Sequence, residues 1–240
     1  GSLLWSGGTR QGIFEEQLRE GLLKCLAEDL IRNRGGKLHA TELGELAAAK
    51  GLSVETAIHM ASFGRRLGRE ADNVDVLEIL LNLAKTEDAE GLHFNLSTPE
   101  YEANTYLACL KKKVLALGPG AQRRLAVVHE MTALSYERTK RVKKALILHD
   151  WVTGIPTREI ERKYRCLAGS ISGLGQEFSW LADGFAAMAK MSHWPERDWQ
   201  RIMALSAQLI HGVPSECLEI AAARIRGLGR ARIVTLAKSG

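Results

Sequence analysis

Apolar residues recur at three- and four-residue intervals along most of this chain and almost nowhere alternate, a pattern that commits it to helices packed through one face each. Five prolines interrupt that pattern, and the expectation is an all-α fold. Leu18, Leu22, Leu23, Leu26 and Leu30 predict a helix over 14–32, broken by Asn33-Arg34-Gly35-Gly36. Residues 37–41 are short enough for one edge strand before a helix over 42–50. Helices over 53–66 and 73–85 follow, then a polar loop over 87–102 and a helix over 101–117 ended by Gly118-Pro119-Gly120. Residues 121–151 read as one long helix or two abutting ones. A short helix carrying Ile160 and Tyr164, a longer one over 169–191, and a compact set over 198–211, 214–225 and 231–238 complete the chain.

The composition, 45% apolar and 25% charged, excludes collagen-like, disordered and disulfide-scaffold chains. Cys25, Cys109, Cys166 and Cys217 lie far apart with no C-x-x-C pair, which reads as reduced thiols in a cytoplasmic protein. No apolar run reaches the roughly 18 to 20 residues of a membrane span, and no signal peptide opens the chain, so no membrane partner is expected. The opening Gly1-Ser2, without methionine, predicts a fragment of something longer.

The net charge of +5 is unevenly spread: residues 1–110 hold 11 Lys+Arg against 17 Asp+Glu, and residues 111–240 hold 22 against 11. Such segregation suits one face to a polyanion, most commonly nucleic acid, or else marks a solvated helix surface rich in Lys and Arg. The densest basic run is Arg138, Lys140, Arg141, Lys143 and Lys144. Catalytic signals are weak. There is no phosphate loop of the Gly-x4-Gly-Lys-Ser/Thr type, so no nucleotide hydrolysis is expected to originate here. His129-Glu130 begins like a zinc-protease motif, but Ala133 stands where the second ligand belongs. No catalytic residue, metal or cofactor is assigned.

Two local signals point to nucleic acid. In Arg226-Gly227-Leu228-Gly229-Arg230-Ala231-Arg232, two glycines around one apolar residue lead into a helix, leaving backbone N–H groups uncovered as a phosphate cradle. Helix–hairpin–helix modules hold a nucleic-acid backbone this way; the plain alternative is a helix-capping turn. In the helix over 169–191, Ile171, Leu174, Phe178, Leu181, Phe185 and Met188 form one buried stripe. Trp180 lies about 130° from its centre, in line with Gly173, Gly184 and Ala187, and is either a contact to a second helix or a platform for a planar ligand.

The run Leu146-x-x-x-Asp150-Trp151, Gly154-x-Pro156-x-x-x-Ile160-x-x-x-Tyr164 and Trp180 resembles the helical ratchet domain of the superkiller-like superfamily 2 DNA helicases, the group of the archaeal repair helicases and the helicase part of polymerase theta. Thr41-x-Leu43-Gly44 and Leu52-Ser53-x-Glu55-Thr56-Ala57 look like the end of that family's winged helix, and residues 211–232 like its C-terminal helix–hairpin–helix. The resemblance implies a winged helix over 1–60, a ratchet domain over 61–197 and a helix–hairpin–helix over 198–240. It implies a non-catalytic accessory region of a DNA-repair helicase whose ATP and Mg2+ are bound by upstream RecA-like motor domains. The partners would then be those motors and single-stranded or branched DNA, or RNA. Trp180 inherits the role of the base-stacking aromatic, while the arginine usual seven residues earlier is here Gly173. Arg138, Lys140, Arg141, Lys144, Arg158, Arg162, Gly227, Gly229, Arg230 and Arg232 complete the expected contacts. The rival readings are a helical protein-interaction scaffold and a winged-helix transcription regulator.

Overall fold

The computed structural model describes residues 7–68, 74–92 and 94–239. It is mostly helical, with one two-stranded hairpin among the described residues. The chain divides into two compact units, Gly1–Ile58 and His59–Gly240. No helix among the described residues is long and apolar enough to cross a membrane.

The first unit holds α1 (Gly7–Ala27), β1 (Ile31–Arg34), β2 (Lys37–Ala40), α2 (Glu42–Lys50) and the start of α3 (Val54–Gly68). The predicted helix stops at Ala27, five residues early, and the predicted single strand is two. The cause is local. Gly35 and Gly36, at φ +60° and +79°, make the two-residue turn with positive φ at both positions that matches the twist of paired strands. Asn33 Oδ1 accepts from the Gly36 N–H at 3.0 Å and secures that turn. The strand ladder and the Thr41 N–H bond to the Leu30 carbonyl at 3.0 Å then draw residues 31–34 into the extended form.

The second unit is a bundle of α4 (Val76–Leu83), α5 (Glu87–Glu90), α6 (Pro99–Leu115), α7 (Pro119–Arg124), α8 (Val127–Glu130), α9 (Tyr136–Val152), α10 (Thr157–Tyr164), α11 (Ala168–Met191) and α12 (Glu196–His211). A 3-10 turn (Ser215–Cys217), α13 (Leu218–Ala222) and α14 (Arg230–Ser239) close it. The expected start of α4 at Asn73 lies outside the described residues. The expected loop over 87–102 contains α5, because Thr86 caps it through the Ala89 N–H at 3.3 Å. Residues 121–151 form three helices and not one or two. Met131, in extended conformation, ends α8, and Ser135 opens α9 by accepting the Arg138 N–H.

α9 is the axle of this unit, packed by α4, α6, α10, α11 and α12. From Val142 to Leu148 every side chain of α9 is buried, lysines included. Lys143 and Glu102 of α6 are each 1% exposed and bond at 2.7 Å. Glu102 also accepts from the Tyr106 hydroxyl at 2.8 Å and the Thr98 N–H at 3.1 Å, so this buried pair is fully satisfied. Asp150 is a second such centre, taking Lys113 at 2.7 Å, Lys163 at 2.7 Å and the Tyr164 hydroxyl at 2.8 Å. Burial alone would raise its pKa, but His149, Lys113 and Lys163 hold the carboxyl well below the usual range. α11 lies directly on α12: a Cβ at Gly175 would sit 2.5 Å from the Leu209 carbonyl, the acceptor of the Trp151 indole N–H at 3.0 Å. Only glycine admits that approach.

Candidate nucleic-acid interface

α11 shows how one helix makes both a core and a surface. Its predicted stripe, Ile171, Leu174, Phe178, Leu181, Phe185 and Met188, is buried throughout. Phe185 stacks on Phe63 at 5.2 Å and meets the Trp194 edge at 5.9 Å, while the Ser206 hydroxyl donates to the Ser179 carbonyl at 2.9 Å. These contacts fix the helix about its axis. Trp180 stands on the other side and is partly exposed, with Gly173, Gln176, Asp183 and Ala187 on the same accessible stripe. The charged residues nearest to it along α11 are Glu177 and Asp183, so the helix itself does not supply the basic border expected around this indole.

The basic run of α9 divides in two. Arg138 is exposed. Lys140 pairs with Glu137 at 3.1 Å and lies over the Tyr136 ring, and Arg141 pairs with Glu90 of α5. Lys144, expected to meet a strand, is 2% exposed and donates to the Ala89 carbonyl at 2.6 Å. It is a buried structural lysine with no face for a phosphate, and its burial, then the charge of Lys140, lowers its pKa to about 8. On α10, Ile160 and Tyr164 are buried, while Arg158 and Arg162 project from the opposite side, one turn apart and exposed.

The expected contacts of the C-terminal turn divide, with Gly227 and Gly229 at the surface and Arg230 turned inward. Leu228 N–H bonds the Ile225 carbonyl at 3.0 Å, with Gly227 at φ +82°, and α13 and α14 close over a small core of Val213, Cys217, Ala221, Ile233 and Val234. Gly227 and Gly229 are exposed, and Arg232 bonds back to the Gly227 carbonyl at 2.7 Å. Arg230 points inward. Its guanidinium lies 4.1 Å above the Trp151 ring and donates to the carbonyls of Trp151 and Ile155, each at 2.8 Å, and to that of Gly212. Burial lowers its pKa to about 10. Arg230 is therefore a staple and not a phosphate contact. Through a 3.3 Å bond to the Thr157 hydroxyl it also sets the start of α14 beside the start of α10.

Residues 77–212 match the family described as archaeal helicase, domain 4. The chain belongs to the archaeal helicase domain 4 family. The matched stretch contains the buried charge centres on α9 and the whole of α11, Trp180 included. A comparison with curated proteins gives no match. As a member of the domain 4 family, the chain is an accessory region of a helicase. The sequence reading missed one cationic group in it: Arg66 on α3, Lys85 after α4, and Arg123 on α7 line a common recess with Arg124. These residues lie far apart in sequence, and no spacing rule joins them.

Proposed function

We propose that this chain is the non-catalytic C-terminal accessory region of an ATP-dependent superfamily 2 DNA helicase, and that it holds and guides the unwound strand. In this reading the first unit is the winged helix with β1 and β2 as its wing, the second is the ratchet bundle, and α13 and α14 are the helix–hairpin–helix. ATP and Mg2+ belong to upstream RecA-like motors, and repair of branched DNA is the pathway served. The observation that carries the reading is the partly exposed Trp180 on a helix whose other side is locked into the core. A rigid indole of this kind stacks on any base, because every base has a π-face. Gly173 occupies the position of the family's usual arginine, so the charge beside a stacked base would come from other elements, with Arg158 and Arg162 of α10 available at the surface.

Trp180→Ala tests this. Thermal melting should change little, and single-strand affinity in a fluorescence titration should fall by about 1–3 kcal/mol, the range for one lost base stack. A packing tryptophan would instead cost about 3–5 kcal/mol of stability. A variant that melts much lower and binds normally would end the proposal.

A further inference from the structure

The bundle gathers one set of cations that its carboxylates leave mostly unanswered. An open recess of about 650 Å3 lies where the end of α3, α4 and α7 meet, with Phe63 and Leu125 among its apolar walls and Arg66, Lys85, Arg123 and Arg124 as its cations. Glu78 lines it too, but this buried carboxylate is held on both oxygens by Arg124, at 2.8 and 2.9 Å. The Arg141 Nη2 pairs with Glu90 Oε1. Among the described residues, Arg66, Lys85, Arg123 and Arg138 have no carboxylate partner. The Arg66 guanidinium is held 5.7 Å over the Phe63 ring and so stays at the wall.

These charges act on one another. Desolvation first, and then Arg66, Arg141 and Arg138, hold the Lys85 ammonium below the usual lysine pKa. Desolvation and the charges of Lys85, Arg66 and Arg141 lower His59 as well, although its bond to the Asn82 carbonyl opposes them. Like charges gathered over partly desolvated ground repel, and an anion entering the recess converts that repulsion into attraction.

We propose that this recess seats the phosphodiester backbone of a single strand, as a second contact apart from Trp180. The cations would meet phosphates, and the exposed Val127 at the rim would meet sugar and base faces without reading sequence. A magnesium triphosphate fits less well, since it calls for a glycine-rich loop and a free carboxylate, and Glu78 is already engaged. The inference rests on the nucleic-acid reading above, and its test separates the two.

The experiment compares the 240-residue chain with Arg66→Gln/Lys85→Gln and with Lys111→Gln/Lys112→Gln, which removes the same charge from α6. We expect the recess pair to bind a twelve-nucleotide oligo(dT) at least about tenfold more weakly, with a salt slope flatter by about 1.4, or about 0.7 for each lost phosphate contact. The α6 pair should change binding less than about twofold, the response to general charge alone. Amide NMR shifts on titration should include residues 63–67, 78–85 and 120–127 of the wild type, and should persist at those residues in Trp180→Ala. A strand that binds while those amides stay unshifted, or an equal loss in the α6 pair, overturns the recess and leaves the Trp180 reading intact. Shifts with inorganic tripolyphosphate and none with oligo(dT) overturn the nucleic-acid assignment of both.

Discussion

Asp150 and the recess beside Lys85 each gather several cations, and they treat them in opposite ways. At Asp150, Lys113 and Lys163 converge on one carboxylate, and at Glu102 the buried Lys143 does the same. In the recess beside Lys85 the carboxylate Glu78 is already engaged by Arg124, Glu90 engages Arg141, and Arg66, Lys85 and Arg123 are exposed. The first arrangement ties α6, α9 and α10 together. In the second, Arg124 and Arg141 make such ties, but Arg66, Lys85 and Arg123 have no carboxylate partner among the described residues and leave a positive field in place. Paired charge here is architecture; unpaired charge is what a polyanion can use.

The sharpest break of that contrast is Glu102→Ala, which strands the Lys143 ammonium in the core. It should cost about 3–5 kcal/mol in a urea titration, and Glu102→Leu with Lys143→Met should recover most of the loss. Asp150→Asn should cost less, about 2–3 kcal/mol, because Lys113 and Lys163 keep a path to water that Lys143 lacks. The pH dependence carries its own sign. The folded Asp150 carboxyl sits below its unfolded value of about 3.9, so its contribution is present above that pH and fades as pH falls below it. Wild type and Asp150→Asn should therefore converge in stability in acid.

Lys144 runs the other way. With its folded pKa at about 8 and an unfolded value near 10.4, the unfolded chain holds the proton to higher pH. Raising pH from 8 to 10 should then stabilise wild type relative to Lys144→Met, by up to about 1.4 kcal/mol per pH unit in denaturant midpoints. The smallest effect falls in the recess. Lys85→Gln removes repulsion and breaks no ion pair, so it should raise stability by up to about 0.5 kcal/mol. A clear destabilisation would mean that Lys85 has structural work of its own.

The helical class and the two-sided character of α11 were legible because one helix with one buried stripe writes its period directly into the sequence. The break before α9 was not, since Met131 to Leu134 carry neither glycine nor proline; the usable signal was Ser135 followed by Glu137, an N-cap with an acid in the first turn. The fate of Lys144 was hidden for a different reason. A helical wheel sets Lys144 beside Lys140, one turn apart, and implies one exposed basic face. α9 instead sinks into the bundle along its length, so the same face is partly open at Lys140 and closed at Lys144. The recess was invisible for want of any local pattern, because its cations come from three separate elements.

The inward turn of Arg230 changes what the end of this chain is. A terminal hairpin hung on a linker could swing, gripping or releasing a strand without the rest of the bundle noticing. Here one guanidinium closes the corner between α9 and α10, covering a face of Trp151 and filling the carbonyls of Trp151, Ile155 and Gly212. Whatever pulls on the Gly227 turn pulls on that corner. The last helix is a keystone for the bundle, and load applied at one end of the unit is carried through Trp151 to the helix that holds its core.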